Sequence, residues 1–112
     1  MKMWHNLGRI APDMNGWRIN KFGEVIAPNG LLATPFNPKD REVGGCKRYT
    51  MISMKLQNGK TIRRRVDRLM AAMFYTGNVV ELKNIMVIHK DGNKGNNELD
   101  NLTFKEKIKN DY

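Results

Sequence analysis

Cysteine occurs once in the 112 residues, at Cys46. One thiol builds neither an intramolecular disulfide framework nor a cysteine-based zinc ribbon, so Cys46 reads as a packing or surface residue. No run of about eighteen apolar residues is present to span a bilayer. The N-terminus MKMWHNLGRI lacks an apolar signal core followed by a small-residue cleavage site. A soluble, unexported, cytoplasmic protein without membrane attachment is the expectation. Internal repeats, low-complexity tracts and flexible linkers are also missing, and histidine is scarce, with only His5 and His89.

Acidic residues are the other shortage: eleven Asp and Glu stand against twenty Lys and Arg, a net charge of +9. The excess is local. Residues 1–46 carry six basic and four acidic groups, residues 47–83 nine and two, and residues 84–112 five and five. A field concentrated in the middle third favours a polyanion, with nucleic acid the first candidate and an anionic membrane surface the second. A merely solubilising surface is the plainer alternative. A chain of this length fits one domain, 1–112, with about two thirds of its unfolded surface buried.

The stretch WRINKFGEVIAPNGLLATP alternates short β-prone runs with turn signals at Gly23 and at Pro28-Asn29-Gly30, which predicts a small hairpin. Residues 36–46, with Pro38, mixed charges and Gly44-Gly45, read as a surface connection. In YTMISMKLQNGKTIRRRV the apolar Ile52, Met54, Leu56, Ile62 and Val66 all occupy even positions. Facing residues must therefore sum to an even number if these groups share a face. A three-residue Gln57-Asn58-Gly59 loop meets that condition, pairing Met54 with Ile62 and placing Gly59 at a left-handed position. Lys55, Arg63 and Arg65 then share the opposite face, and Arg64 falls on the apolar side, as a snorkelling edge residue or a flaw in the register.

From Val66 the period becomes helical: Val66, Leu69, Met70, Met73 and Phe74 form one stripe and Gly77 supplies the stop. The run ending IMVI predicts a buried strand that delivers His89 at its tip. After the polar loop, Leu102-Thr103-Phe104 reads as a short strand, and Thr103 with Glu106 as a capping box opening a terminal helix. Two strands and a helix can then bring His89, Asn101 and Asn110 to one point. Metal-assisted phosphodiester cleavage needs such a set: a base to take a proton from water, an amide to orient it, and an oxygen or nitrogen ligand for a hard cation.

The string His89-Lys90-Asp91-Gly92-Asn93-Lys94, followed by Asn96-Asn97 and Asn101-Leu102, resembles the HNH motif of the ββα-metal nucleases. The likeness is strongest to the phage and intron-encoded homing endonucleases. Val66-Asp67-Arg68-Leu69 with Ala71 and Phe74 is similar to the start of that family's V-H-R-L-V-A helix, and Trp17-Arg18-Ile19-Asn20 with Phe22-Gly23-Glu24-Val25 to its N-terminal β module. The resemblance covers most of residues 16–112. It implies an α+β fold with an N-terminal β module (1–46), a basic hairpin and core helix (47–83) and a C-terminal ββα-metal motif (84–112).

By the same resemblance His89 is the general base, Asn101 the asparagine that organises the loop and Asn110 the metal ligand. Asp91, Asn93, Asn96 and Asn97 are loop scaffold. Two positions depart from the family pattern. Ile88 stands where many relatives carry a metal-binding side chain, and Asp67 replaces a histidine, as a helix N-cap or as a substitute carboxylate at the metal. Lys55, Arg63, Arg64, Arg65, Arg68, Lys90 and Lys94 are the expected nucleic-acid contacts. With no aromatic platform among them, DNA is favoured over RNA. The implied activity is Mg2+- or Mn2+-dependent DNA nicking by a phage or mobile-element protein. The alternatives are a decayed relative that binds DNA or inhibits a protein partner without cleavage, and a scaffold for protein contacts alone.

Overall fold

The computed structural model describes residues 3–36, 49–78 and 80–106. Most of the expected surface connection, Cys46, and the predicted terminal-helix position of Asn110 lie outside them. The fold is α+β, and the described residues form three small antiparallel sheets and one short α-helix.

The first sheet has three strands in sequence order: β1 (His5–Asn6), β2 (Arg18–Ile19) and β3 (Val25–Ile26). The predicted turn at Pro28-Asn29-Gly30 is present. Gly30 has a φ of +87°, its amide donates to the Ala27 carbonyl, and Ile26 bridges to Leu32. Trp17 ties this module to the next by donating its indole Nε1–H to the Lys55 carbonyl at 3.1 Å.

The second sheet is the basic ribbon, β4 (Met51–Lys55) and β5 (Thr61–Arg65). Its register is the one parity requires: Met54 faces Ile62, Ile52 faces Arg64, and the Leu56 amide donates to Lys60 O. Gly59 takes a φ of +88°, the left-handed value that a bulged three-residue loop demands. Ile52, Met54 and Leu56 are buried, while Arg64 is exposed and donates to the Arg63 carbonyl. Arg64 is thus an edge residue that snorkels, and the register holds.

Helix α1 (Val66–Ala71) follows β5 directly and continues as a wider, π-type turn over Ala72–Thr76. Gly77, at φ +81°, closes it by donating to the Ala72 carbonyl at 2.8 Å. Val66, Leu69 and Met70 are buried, with Met73 and Phe74 packed at the edge. They share one cluster with Leu7, Met14 and Ile19 of the N-terminal module and Leu102 of the last strand. No helix among the described residues is long and apolar enough to cross a membrane.

The third sheet pairs β6 (Ile85–His89) with β7 (Leu102–Glu106). Two expectations change. The IMVI run is not buried throughout, because Met86 and Ile88 face outward while Ile85 and His89 are buried. A two-stranded sheet packs one face only, and period-two alternation decides which side chains it hides. Thr103 and Glu106 lie in β7, opposite Ile88 and Ile85, so they form no capping box. Backbone pairing with β6 outweighs the local helix signal.

Candidate functional site

The chain reverses after β6 in a tight turn: Gly92, at φ +76°, donates its amide to the His89 carbonyl at 2.9 Å. Asp91 then organises the loop. Its Oδ1 accepts from the Asn93 amide at 2.8 Å and from Asn101 Nδ2 at 3.0 Å, and its Oδ2 from Asn96 Nδ2 at 2.9 Å. Asn101 closes the ring, donating also to the Asn96 carbonyl at 2.9 Å and accepting from the Asp91 amide at 3.2 Å. The Asp91–Asn93 bond is an Asx turn, and the longer links to Asn96 and Asn101 likewise use short polar side chains in place of backbone partners in a segment too irregular for a ladder. Hydrogen bonds from Asn96, Asn93 and Asn101, in that order, hold the Asp91 carboxyl below its ordinary pKa.

His89 sits at the end of β6 with its side chain only 3 % exposed. Its Nε2 lies 3.0 Å from Asn97 Oδ1 and 4.0 Å from Asp67 Oδ2. Asn97, read as mere loop scaffold, is therefore the imidazole's direct partner, while Asn101 acts on the loop around it. Asp67 is the second residue of α1 rather than its N-cap, which is Arg65. The Asp67 carboxylate, 1 % exposed, receives two hydrogen bonds from Arg65: Nε to Oδ1 at 3.0 Å and Nη2 to Oδ2 at 2.7 Å. No sequence pattern flags this pair, because it crosses the junction between a strand and a helix.

Among the described residues, the side chains around His89 do not make up a donor set for a divalent cation. Ile88 offers no donor, and both Asp67 oxygens are engaged by a guanidinium. Among the described residues no three His, Cys, Asp or Glu side chains are grouped to hold a metal ion. Asn110 lies outside those residues.

Lys55, Arg63 and Arg65 project from one face of the ribbon, as parity requires. The Arg65 guanidinium stacks on the Tyr49 ring at 3.4 Å, and Lys94 lies 4.4 Å from the same ring. The Tyr49 ring is in turn 6.2 Å from that of His89. Arg63 lies 5.7 Å from the Phe36 ring. The expectation of no aromatics among the basic residues is corrected, because the fold brings Tyr49 and Phe36 to them. Lys55, Arg63, Arg64 and Lys90 are exposed and Lys94 half-buried. Arg68 differs: it turns inward, donating Nη1 to the Ile85 carbonyl at 2.6 Å and Nη2 to the Leu82 carbonyl. Burial, then the neighbouring Arg65 charge, lowers its pKa. His5, half-buried, meets Phe74 edge to face at 5.1 Å, away from these contacts.

Residues 64–111 match a family model described as HNH endonuclease. The fold is similar to a solved structure of the HNH homing endonuclease I-HmuI, reported for its DNA binding and cleavage. The TM-score is 0.68 and the identity 28 %, over 93 % of this chain and 52 % of that one. The chain thus spans about half the length of that relative. No curated protein matches the chain. In the HKDGNK loop closed on Asn101, in the strand pair that carries it, over the matched residues 64–111 and in overall fold, the chain is similar to the HNH endonucleases.

Proposed function

We propose that the chain binds DNA and hydrolyses a phosphodiester bond in it, with His89 as the general base. The observation that carries this reading is the tethered imidazole: His89 stands at a strand tip, held by Asn97, next to the Arg65 end of the basic ribbon. With the Asn97 carbonyl oxygen accepting, Nε2 keeps its proton and Nδ1 retains the lone pair that takes a proton from water. The Nε2 of the ring that receives this proton lies 4.0 Å from Asp67 Oδ2. The resemblance implies Mg2+ or Mn2+. Because the described residues offer no donor set for such an ion, the chemistry proposed for His89 is confined to the chain's own groups.

Lys55, Arg63, Arg64, Lys90 and Lys94 are proposed to neutralise backbone phosphates, in line with the DNA binding reported for I-HmuI. A single His89 per chain suits one cut per bound molecule, a nick. Supercoiled plasmid incubated with the protein and Mg2+ or Mn2+ tests this. Relaxed circles are expected from the parent protein and none from His89→Ala.

Three observations favour a second reading, DNA occupancy without cleavage: Ile88 at a usual ligand position, an Asp67 carboxylate taken by Arg65, and an imidazole only 3 % exposed. Salt-sensitive binding that persists under chelation, with intact plasmid throughout, supports that reading. His89-dependent nicking excludes it.

A further inference from the structure

The N-terminal turn and the polar loop meet at unusually short range. Gly23 has a φ of +80°, and a Cβ added there would lie 2.8 Å from the Asn97 carbonyl oxygen and 3.0 Å from the Asn97 Cβ. Backbone therefore packs on backbone at the residue whose side chain touches His89. On the far side of Asn97, the Leu99 amide donates to the Lys21 carbonyl at 2.7 Å, so one turn grips the loop at two points.

The turn itself is rigid. Asn20 is fully buried. Its Oδ1 accepts from the Phe22 amide at 3.0 Å and the Glu24 amide at 3.1 Å, and its Nδ2 donates to Glu24 Oε1 at 2.8 Å. The Gly23 amide closes on the Asn20 carbonyl at 3.1 Å. A side chain at position 23 cannot be absorbed by this turn, so the displacement passes to Asn97.

We infer that the turn at Gly23 is a positioning element for His89: by pressing on Asn97 it fixes which imidazole nitrogen carries the proton. The catalytic part of this inference rests on His89 being the base; the tautomer part does not. Gly30 supplies an internal control. It has nearly the same left-handed backbone, φ +87°, but nothing lies within 4 Å of an added Cβ. Gly23→Ala and Gly30→Ala thus share the backbone strain, and only the first crowds Asn97.

The experiment compares imidazole 15N signals of His89 in the parent protein and the two variants. The parent and Gly30→Ala are expected to show the Nε2–H tautomer, and Gly23→Ala a shift toward Nδ1–H. Nicking by Gly23→Ala is expected to fall about tenfold or more in kcat, with DNA affinity unchanged. Should Gly23→Ala fail to fold, Asn20→Asp serves instead. It keeps the acceptor for both amides but sets a carboxylate against Glu24, and is expected to move the signals the same way. Unmoved His89 signals in the folded turn variant, or an equal shift in Gly30→Ala, overturn the inference. The 15N readout needs no cleavage, so an inactive parent protein counts against the nuclease reading alone. His89-dependent nicking with an unmoved tautomer counts against the positioning role alone.

Discussion

Arg65 and Asp67, two residues apart across the end of β5 and the start of α1, form a two-pronged ion pair in which the carboxylate is 1 % exposed and the arginine side chain 33 %. The pair lies between the basic ribbon and His89. Removing the arginine strands a desolvated carboxylate, so Arg65→Ala is expected to cost about 3 kcal/mol in urea unfolding. Asp67→Asn in the Arg65→Ala background recovers part of that loss, because the stranded charge is gone.

Arg68, although part of the basic cluster in sequence, is expected to behave differently from its neighbours. Arg68→Ala orphans the Ile85 and Leu82 carbonyls, which costs about 1–3 kcal/mol of stability. At a temperature where the variant is folded, its DNA affinity should show the same salt dependence as the parent protein.

Three exposed cations and the half-buried Lys94 give the opposite signature. Lys55→Ala, Arg63→Ala, Lys90→Ala and Lys94→Ala are each expected to flatten the plot of log affinity against log salt by about 0.9, with little change in stability. Fluorescence anisotropy with duplex DNA at several salt concentrations measures it. Four unchanged slopes would move the DNA contact off this face.

Loop order should depend on pH through Asp91. Its folded-state pKa is depressed from the ordinary 3.8, first by Asn96, then by Asn93 and Asn101. A depressed carboxyl contributes stability that is fully present above the ordinary value and lost as pH falls through the folded-state value. Carboxyl NMR titration is therefore expected to find Asp91 below its ordinary range, with Asn96→Ala raising it. Protection of the Asn93 and Asn101 amides should persist through neutral and mildly acidic pH and fail only at the acid end.

The parts of the fold legible in sequence are those governed by short-range periodicity. Parity of the apolar residues, with Gly59 to close the loop, is sufficient to set the β4–β5 register, and Gly77 marks the end of the helical segment. The HKDGNK string locates the loop and Asn101 through its resemblance to the HNH motif, and the Asx turn at Asp91 follows from the spacing of Asp91 and Asn93. What escaped depends on tertiary pairing. Thr103 and Glu106 fit a capping box as well as a strand, and β6 decides between them. Tyr49 reaches Arg65 and Lys94 only once β4 is paired. The link from Asn97 to His89 spans a loop of no regular period, and the contact that positions it comes from Gly23, far away in the chain. Arg68 looks like a surface cation until the carbonyls of the segment leading into β6 are placed beside it.

The role of His89 is tested most directly by single-turnover nicking of a labelled duplex in Mg2+ or Mn2+, comparing the parent protein with His89→Ala, with and without added imidazole. A general base contributes roughly 10²–10⁴-fold. The rate for His89→Ala is expected to fall by at least a hundredfold and to recover in part with imidazole, while DNA binding stays unchanged. Equal rates for the two proteins, or no cleavage by either while DNA remains bound, would contradict a catalytic His89.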